Sequence, residues 1–446
     1  MQALAIFLFV GGLHAHDTGH FFSLAKSIPE ELGATQKNAV AEEPNSLSCK
    51  LNINLFDVAS GQPVYGLIHI TRQADEKALH LPELFERPMN WYSMPNQASV
   101  AVPQDELVVE AIHGLETEVA RHIVDLRGQT QATLSIPLKR FFHPESRAIR
   151  SGNTHLHLIL SARRKMGVVL RNRAEADRYL QLACRSDGLD LVYVSYLTRP
   201  GAYYISNEYT RDDLQGLSQG SIRFVNGEEH RHAGVERKDG SRFSYGHVMF
   251  LDLTELVQPV SIGPGLTEGG KDTDGLALRA GMETAIKAGA GVVWCHGTQG
   301  LESIPSWIMG LPHAQNIYDG GNKGTYSSVY YRLLNAGIKV PFSTGTDWGL
   351  WDFSRVYVPA DADMTSKIFI NRLAQGQSFI TNGPILSLQA GDQVPGDTLK
   401  LQGPTKIRVR GTGIGRRNFR RLELIASLAR LGGFDRVSNF FRSATH

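Results

Sequence analysis

The hydrophobic period of the chain changes near Ser151, and that change limits the architectures open to it. Before it, from Cys49 to about Pro144, apolar and polar residues alternate in short runs separated by turn residues: Leu51-Asn-Ile-Asn-Leu-Phe-Asp, Ser60-Gly-Gln-Pro, Val64-Tyr-Gly-Leu-Ile-His-Ile, then Glu106-Leu-Val-Val-Glu-Ala-Ile and Ala132-Thr-Leu-Ser-Ile-Pro-Leu. Successive side chains of a strand point to opposite faces, so this pattern reads as half-buried strands and predicts a small β-sandwich over 49–145. After the change, extended apolar segments alternate with helical ones. That is the order of an α/β architecture with a mainly parallel sheet or barrel, expected over 150–384.

The 446 residues are enough for two or three domains. With 42% hydrophobic and 20% charged residues, and 46 basic against 44 acidic, the chain lacks the basic excess that nucleic acid or an anionic membrane would require. A small-molecule substrate is the partner expected, and oligomeric state is not encoded in any pattern here. No apolar run reaches the ~18 residues of a membrane span, so no stable transmembrane anchor is expected. Residues 1–15, an apolar block ending in Leu13-His-Ala15, have the shape of an export signal without a basic n-region. Export to a periplasmic or extracellular location is the expectation, with a disordered tail and a cytoplasmic protein as the alternative. A linker is expected over 16–48, and short strands return after Pro384, giving a β-rich segment over 385–446. Ala426 to His446 breaks that pattern, as a truncated or replaced terminal domain would.

Three scattered cysteines, Cys49, Cys184 and Cys295, form neither a metal knuckle nor a disulfide framework. Only Cys295, beside His296, offers thiol chemistry, against the alternative of a small buried residue at a strand end.

Within the second region, chemistry-bearing residues stand at the ends of predicted strands. Gly152-Asn-Thr-His-Leu-His157 ends in His155 and His157; Ile222-Arg-Phe-Val225 leads into Gly227-Glu-Glu-His230; Gly291-Val-Val-Trp-Cys-His296 ends in a histidine; Val340-Pro-Phe-Ser-Thr-Gly-Thr-Asp347 ends in an aspartate. Helices are expected over Ala174 to Cys184, from Thr210 with a capping-box pattern, and over Leu278 to Lys287, Tyr326 to Ala336 and Ser366 to Ala374. In a (β/α) barrel, strand ends converge on one face, so residues almost two hundred positions apart would meet. His-x-His on a strand puts two imidazoles on one side, where they can hold one divalent cation. The later acidic residue, His296 and Asp347 complete the mixed nitrogen and oxygen set of hydrolytic metal sites. Spacing does not choose between Glu228 and Glu229. His230, His232 and His247 are further candidates, His247 foremost because it opens a strand after Gly246. Asp319 has two roles open to it, supporting the ligands or capping a turn. Trp348 and Trp351, beside Asp347, are candidates for a substrate wall, whereas Trp294 and Trp307 read equally well as core.

Taken in order, Gly152-Asn-Thr-His-Leu-His, Gly227-Glu-Glu-His, Tyr245-Gly-His-Val, Val293-Trp-Cys-His, Tyr331-Arg-Leu-Leu-Asn-Ala-Gly, Ser343-Thr-Gly-Thr-Asp and Gly376-Gln-Ser-Phe-Ile-Thr-Asn-Gly-Pro resemble the metallohydrolases of the carbaryl-hydrolase (CehA/McbA) family, which belongs with the PHP (polymerase and histidinol phosphatase) fold. The resemblance runs from about residue 150 to 400, and the β-rich segment before it is similar to an accessory domain found with such enzymes. It implies a distorted (β/α)7 PHP-like barrel with His155, His157, Glu229, His296 and Asp347 as metal ligands and His247 as a ligand or acid/base group. It selects Glu229 over Glu228. Where typical PHP enzymes carry Asp-His after the second strand and a final Asp-x-His, this chain has Val194-Ser-Tyr196 and Asp347-Trp-Gly349, so one or two ions, zinc or manganese, are expected rather than three.

The expected activity is hydrolysis of an ester, carbamate or amide by water whose pKa a metal lowers from 15.7 to about 7, with Asp347 and His247 moving the proton. The alternatives are a phosphoesterase on the same site, an amidohydrolase-type barrel, which would want a lysine where Glu229 stands, and a non-catalytic exported binding protein.

Overall fold

Alternation decides the first half of the fold. The computed structural model describes residues 5–9, 48–160, 170–198, 203–236, 242–261, 277–297, 300–319, 328–416 and 422–427. Ser48–Asp57 lies between Gln97–Pro103, antiparallel, and Gln131–Leu138, parallel. A second sheet has Gly66–Arg72 between Trp91–Met94 and Glu106–Ile112, with Phe85–Arg87 and Ala120–Asp125 outside them. Leu51, Ile53 and Leu55 of the first sheet and Ile68, Ile70, Val109 and Ala111 of the second share one buried core, while Lys50 faces water. Each such side chain withdrawn from water contributes about 1.5–3 kcal/mol. Cys49 is part of that core, and its thiol is pushed up by burial.

The second half is a mixed α/β structure built on one nearly closed sheet. Its strands are β1 (Ile149–His157), β2 (Leu191–Tyr196), β3 (Arg223–Glu236), β4 (Arg242–Leu251), β5 (Gly291–Trp294), β6 (Ala314–Asn316), β7 (Phe342–Ser343), β8 (Asp347–Trp348), β9 (Arg355–Pro359) and β10 (Phe379–Thr381). They are ordered β7-β6-β5-β4-β3-β2-β1-β9-β10, with β8 beside β1. The pairings make β1, β2, β3, β5, β6, β7 and β10 run one way and β4 and β9 the other. Ser378 Oγ donates to Phe342 O at 2.8 Å, joining the two ends of the path.

The helices form where the period and caps demand them. In α1 (Arg173–Ser186), Asn172 caps the amide of Glu175, and Ala176, Tyr179, Leu180 and Ala183 make the buried stripe. α2 (Arg211–Leu217) starts at Thr210 with the expected capping box. α3 (Leu278–Lys287) packs Leu278, Met282 and Ala285 on β4 and β5. α4 (Ser303–Ile308) and α5 (Ser328–Asn335) flank β6 and β7. α6 (Ser366–Ala374) sends Phe369 and Ile370 against Gly152 and Gly291, near the starts of β1 and β5. That plugs one end of the sheet's interior with Leu191, Tyr193, Met249, Leu251, Val293 and Val356, and leaves the other end for polar side chains.

The segment around Gly246–Asp252 is the strand its pattern predicts, and it forms the return arm of a hairpin, β4 pairing antiparallel with β3. Two strand-end placements are corrected. Glu229 accordingly lies inside β3, not at a strand end, because the alternation continues through His230, Arg231 and His232. Asp347 belongs to β8, which leaves the line of β7 to pair with β1, Leu156 opposite Asp347 and His157 opposite Trp348.

Beyond the barrel, Ile385–Ala390 and Val409–Ile414 form a hairpin, and Ala5–Phe9 pairs antiparallel with Glu423–Ser427. The expected linker up to residue 47 and the chain beyond Ser427 lie outside the described residues. No described helix is long and apolar enough to cross a membrane.

Candidate metal centre

The open end of the sheet gathers its side chains by strand alternation. His155 and His157, two residues apart on β1, both point inward and are fully buried. Each has its Nδ1 already committed: His157 Nδ1 lies 2.9 Å from Ser195 O, and His155 Nδ1 lies 2.9 Å from Asp319 Oδ2. A carbonyl only accepts, so the proton of neutral His157 is on Nδ1 and its Nε2 presents a lone pair; ionised Asp319 fixes His155 the same way. The two Nε2 atoms then face each other at 3.0 Å.

Glu229 Oε2 is 2.9 Å from His157 Nε2 and 3.8 Å from His155 Nε2, and Asp347 Oδ1 is 3.4 and 3.6 Å from the same nitrogens. Asp347 Oδ1 is buried with no hydrogen-bond donor of its own. With both histidines neutral, four lone-pair atoms converge there. Ligands at zinc–nitrogen and zinc–oxygen distances stand about 3.3 Å from one another around a tetrahedral ion, so the donor set fits a divalent cation in both chemistry and spacing.

Glu229 also faces the other way. Its Oε1 is 2.7 Å from His247 Nδ1 and 3.7 Å from His296 Nε2. His247 reaches this end because β4 runs against the other strands, so that its beginning lies where they finish. The ligand atoms of His155, His157, Glu229 and Asp347 lie within 4.8 Å of one another, as do those of Glu229, His247 and His296, and Glu229 is common to both groups.

Asp319 sits behind them. Its Oδ2 accepts from Asn316 Nδ2 at 2.9 Å as well as facing His155, and its Oδ1 is 2.7 Å from His296 Nδ1 and 3.2 Å from His296 N. Both oxygens are occupied, so Asp319 orients histidines rather than ligating. Thr154 Oγ1 extends the support, contacting Asn316, Ser343 and the Thr344 carbonyl at 3.1, 2.8 and 3.0 Å.

These contacts set the protonation of the metal-free chain. Burial works against charge on Asp319, yet the two histidines hold its carboxyl far below the usual carboxylate range. Burial likewise opposes charge on His155 and His296, and Asp347 for the first and Asp319 for both raise them well above an ordinary histidine. Glu229, despite burial, is held low by His247, His155 and His157. Burial lowers His247; Glu229 pulls it up, and the charges of His296 and Arg231 join burial, which prevails. The Cys295 thiol is pushed up to about 11 by burial, as befits a core residue rather than a nucleophile.

His296 and Asp347 have φ of 54° and 57°, in the left-handed region. His296 takes that strained conformation just after β5 and Asp347 where β8 begins, and at both turns the side chain is directed inward.

Not every candidate joins the cluster. Glu228 points to the opposite face, where it pairs with His230 at 2.8 Å and accepts from Val257 N at 2.9 Å. His232 shares that face, its ring tilted against that of His230 at 4.7 Å. Trp348 is tilted against His157 at 5.5 Å and stacks on Tyr204 at 5.8 Å, so these two rings wall the centre. Trp351 instead donates to the Thr346 carbonyl at 2.7 Å. Trp294 and Trp307 are buried core residues. Tyr204 went unsuspected in the sequence, where nothing but its aromatic character marks it. No family model matches the chain, and no curated protein matches it.

Proposed function

We propose that this chain is a divalent-metal-dependent hydrolase with a distorted (β/α)7 PHP-like barrel, similar to the carbaryl-hydrolase family, that cleaves an ester, carbamate or amide bond of a small molecule. The observation that supports the proposal is the convergence of His155 Nε2, His157 Nε2, Glu229 Oε2 and Asp347 Oδ1, four buried ligand atoms of which Asp347 Oδ1 has no hydrogen-bond partner. One or two ions, zinc or manganese, suit this set, with Glu229 shared between two groups. When bound, such an ion supplies Lewis acidity toward the scissile carbonyl and a water acidic enough to act at neutral pH.

The residues divide the remaining work. Asp319 and the Ser195 carbonyl hold the histidine rings in one tautomer. His247, whose side chain is 25% exposed against 2% for Glu229, is the most accessible of the cluster and, held neutral, is suited to take up a proton and pass it on to the leaving group. Asp347, whose Oδ1 has no hydrogen-bond partner, is suited to accept one. Trp348 and Tyr204 exclude water from one side and offer a flat apolar surface to a substrate ring.

The test is metal quantification on the purified protein together with a panel of chromogenic esters, carbamates, amides and phosphoesters. One to two zinc or manganese ions per chain are expected, with His155→Ala and His296→Ala each losing metal and at least a hundredfold in kcat/KM. Absence of stoichiometric metal, with neither substitution changing stability, would overturn the proposal. Turnover of phosphoesters alone would overturn the carbonyl substrate.

A further inference from the structure

Three arginines are buried among the described residues: Arg87, Arg231 and Arg355. Two have their charge answered. Arg87 makes a two-point pair with Asp187 at 2.9 and 3.1 Å, and Arg355 reaches Glu116 at 3.4 Å and the Asp187 carbonyl at 2.6 Å. Arg231 differs. Its guanidinium enters no ion pair among the described residues, and its Nε is buried without a hydrogen-bond partner. A desolvated guanidinium without an anion is costly, and such groups persist where an anion arrives from outside.

Its position says where that anion would lie. Arg231 follows Glu229 by two residues, so it shares the inward face of β3, and it stands directly across from His247 in the β3–β4 pairing. Its charge is felt at His247, where it adds to the effect of burial. The residue is also fixed. Ser261 Oγ accepts from the Arg231 amide at 2.9 Å and donates to the Arg231 carbonyl, just before the register of the hairpin shifts at His232.

We infer that Arg231 is a subsite for an anionic oxygen group of the substrate, a carboxylate or a phosphoryl group, held beside the metal centre. The inference rests on the hydrolase proposal and narrows its substrate class. A planar guanidinium meets either anion through paired N–H donors, and it discriminates against neutral analogues, which leave its charge unanswered by any described residue.

The experiment uses the full, metal-loaded chain and compares wild type with Arg231→Met and Arg231→Lys. Calorimetric titration measures binding of benzoate, inorganic phosphate and neutral benzamide. Initial rates are measured on an ester carrying a carboxylate and on its neutral methyl counterpart. At equal metal content, Arg231→Met is expected to weaken one or both anions at least tenfold, Arg231→Lys to restore part of that affinity, and benzamide binding to move less than twofold. The anion that loses more identifies the source. KM for the anionic ester is expected to rise at least tenfold more than KM for the neutral one. Anion affinities equal in wild type and both variants, with the neutral ester turned over, overturn the inference and leave the hydrolase standing. Arg231-dependent anion binding in a chain that turns over no ester, carbamate or amide of the panel retains the subsite and removes the hydrolase. Should Arg231→Met fail to fold, Arg231→Lys against wild type decides the same question through the ratio of anionic to neutral KM.

Discussion

At the scale of single residues, Asp319 has the widest reach. One carboxylate steadies His155 through Oδ2 and His296 through Oδ1, and those histidines belong to the two ligand groups that Glu229 joins from the other side. Removing it leaves two buried imidazole N–H groups without acceptors and two rings free to rotate. Asp319→Ala is expected to weaken metal affinity by about 10–100-fold, and Asp319→Asn by less because an amide oxygen still accepts from one ring. Competition with a chromophoric chelator measures this, and unchanged affinity in Asp319→Ala would show that the rings are held by other contacts. The same residues fix a pH dependence. In the metal-free chain His155 and His296 are raised above the unfolded value of about 6.5, so their contribution to stability is full below that pH and is lost as pH rises through the raised values. Asp319 is depressed, so its contribution is present above about pH 4 and is lost only as pH falls through its low native value. Metal must displace the histidine protons, so the chelated protein should lose Tm from pH 6 to 8.5 while the increment added by metal grows. A metal increment that stays flat over that range, measured by paired thermal melts, would contradict it.

At the scale of elements, the centre depends on β8 lying against β1. The link between β7 and β8 is strapped to the first strand: Thr154 N donates to Thr344 O at 3.3 Å, and Thr346 N to His155 O at 3.0 Å. Gly345 sits between these straps, and a Cβ there would lie 2.5 Å from His155 Cβ and 2.6 Å from its backbone nitrogen. Neither atom can yield cheaply, so Gly345→Ala must push β8, and Asp347 with it, away from His155. A loss of about 1–3 kcal/mol in denaturant unfolding is expected, together with reduced metal retention; full retention of metal would mean that Asp347 is not held by this packing. The elements differ in how far the sequence discloses them. Leu278–Lys287 and Ser366–Ala374 form helices over the predicted residues, because each has its own apolar stripe and a sharp end. The β3–β4 hairpin is different. Period two identifies both strands, but the direction in which β4 returns is decided by pairing and not by any local pattern. His247 could thus be nominated from its place after Gly246, while the reason it arrives beside Glu229 appears only with the sheet. Glu229 and Glu228 are undecidable from spacing for a related reason: adjacent residues take opposite faces, and which face is interior depends on the strands alongside.

At the scale of the whole molecule, the sandwich and the barrel are joined through buried charge. Arg87 ends a sandwich strand and pairs at two points with Asp187, which follows α1. Glu116 meets both Arg355 and the Tyr357 hydroxyl of β9. Arg416, after the C-terminal hairpin, donates to the carbonyls of Gly114, Leu115 and Thr117. Around these lie Leu67, Trp91, Ile112, Leu115, Phe353, Tyr357 and Ile385, an apolar cluster drawn from all three parts. None of this joint is legible in the sequence, because its partners are separated by 100 and 239 positions and each alone resembles an ordinary surface charge. The change of period near Ser151 marks a boundary between architectures, yet the joint makes that boundary one of pattern rather than of stability. Arg87→Met would leave Asp187 buried and unpaired, at a cost of about 3–5 kcal/mol, whereas Arg87→Met with Asp187→Leu removes both charges and should cost less than the first substitution alone. Since the interface serves both sides, chemical unfolding of the wild-type chain should show one transition by tryptophan fluorescence and by far-ultraviolet circular dichroism. Arg87→Met should move both probes together. Two separated transitions in the wild type, with only the sandwich component shifted by Arg87→Met, would mean that the halves unfold independently and that the buried pairs act as a local clasp.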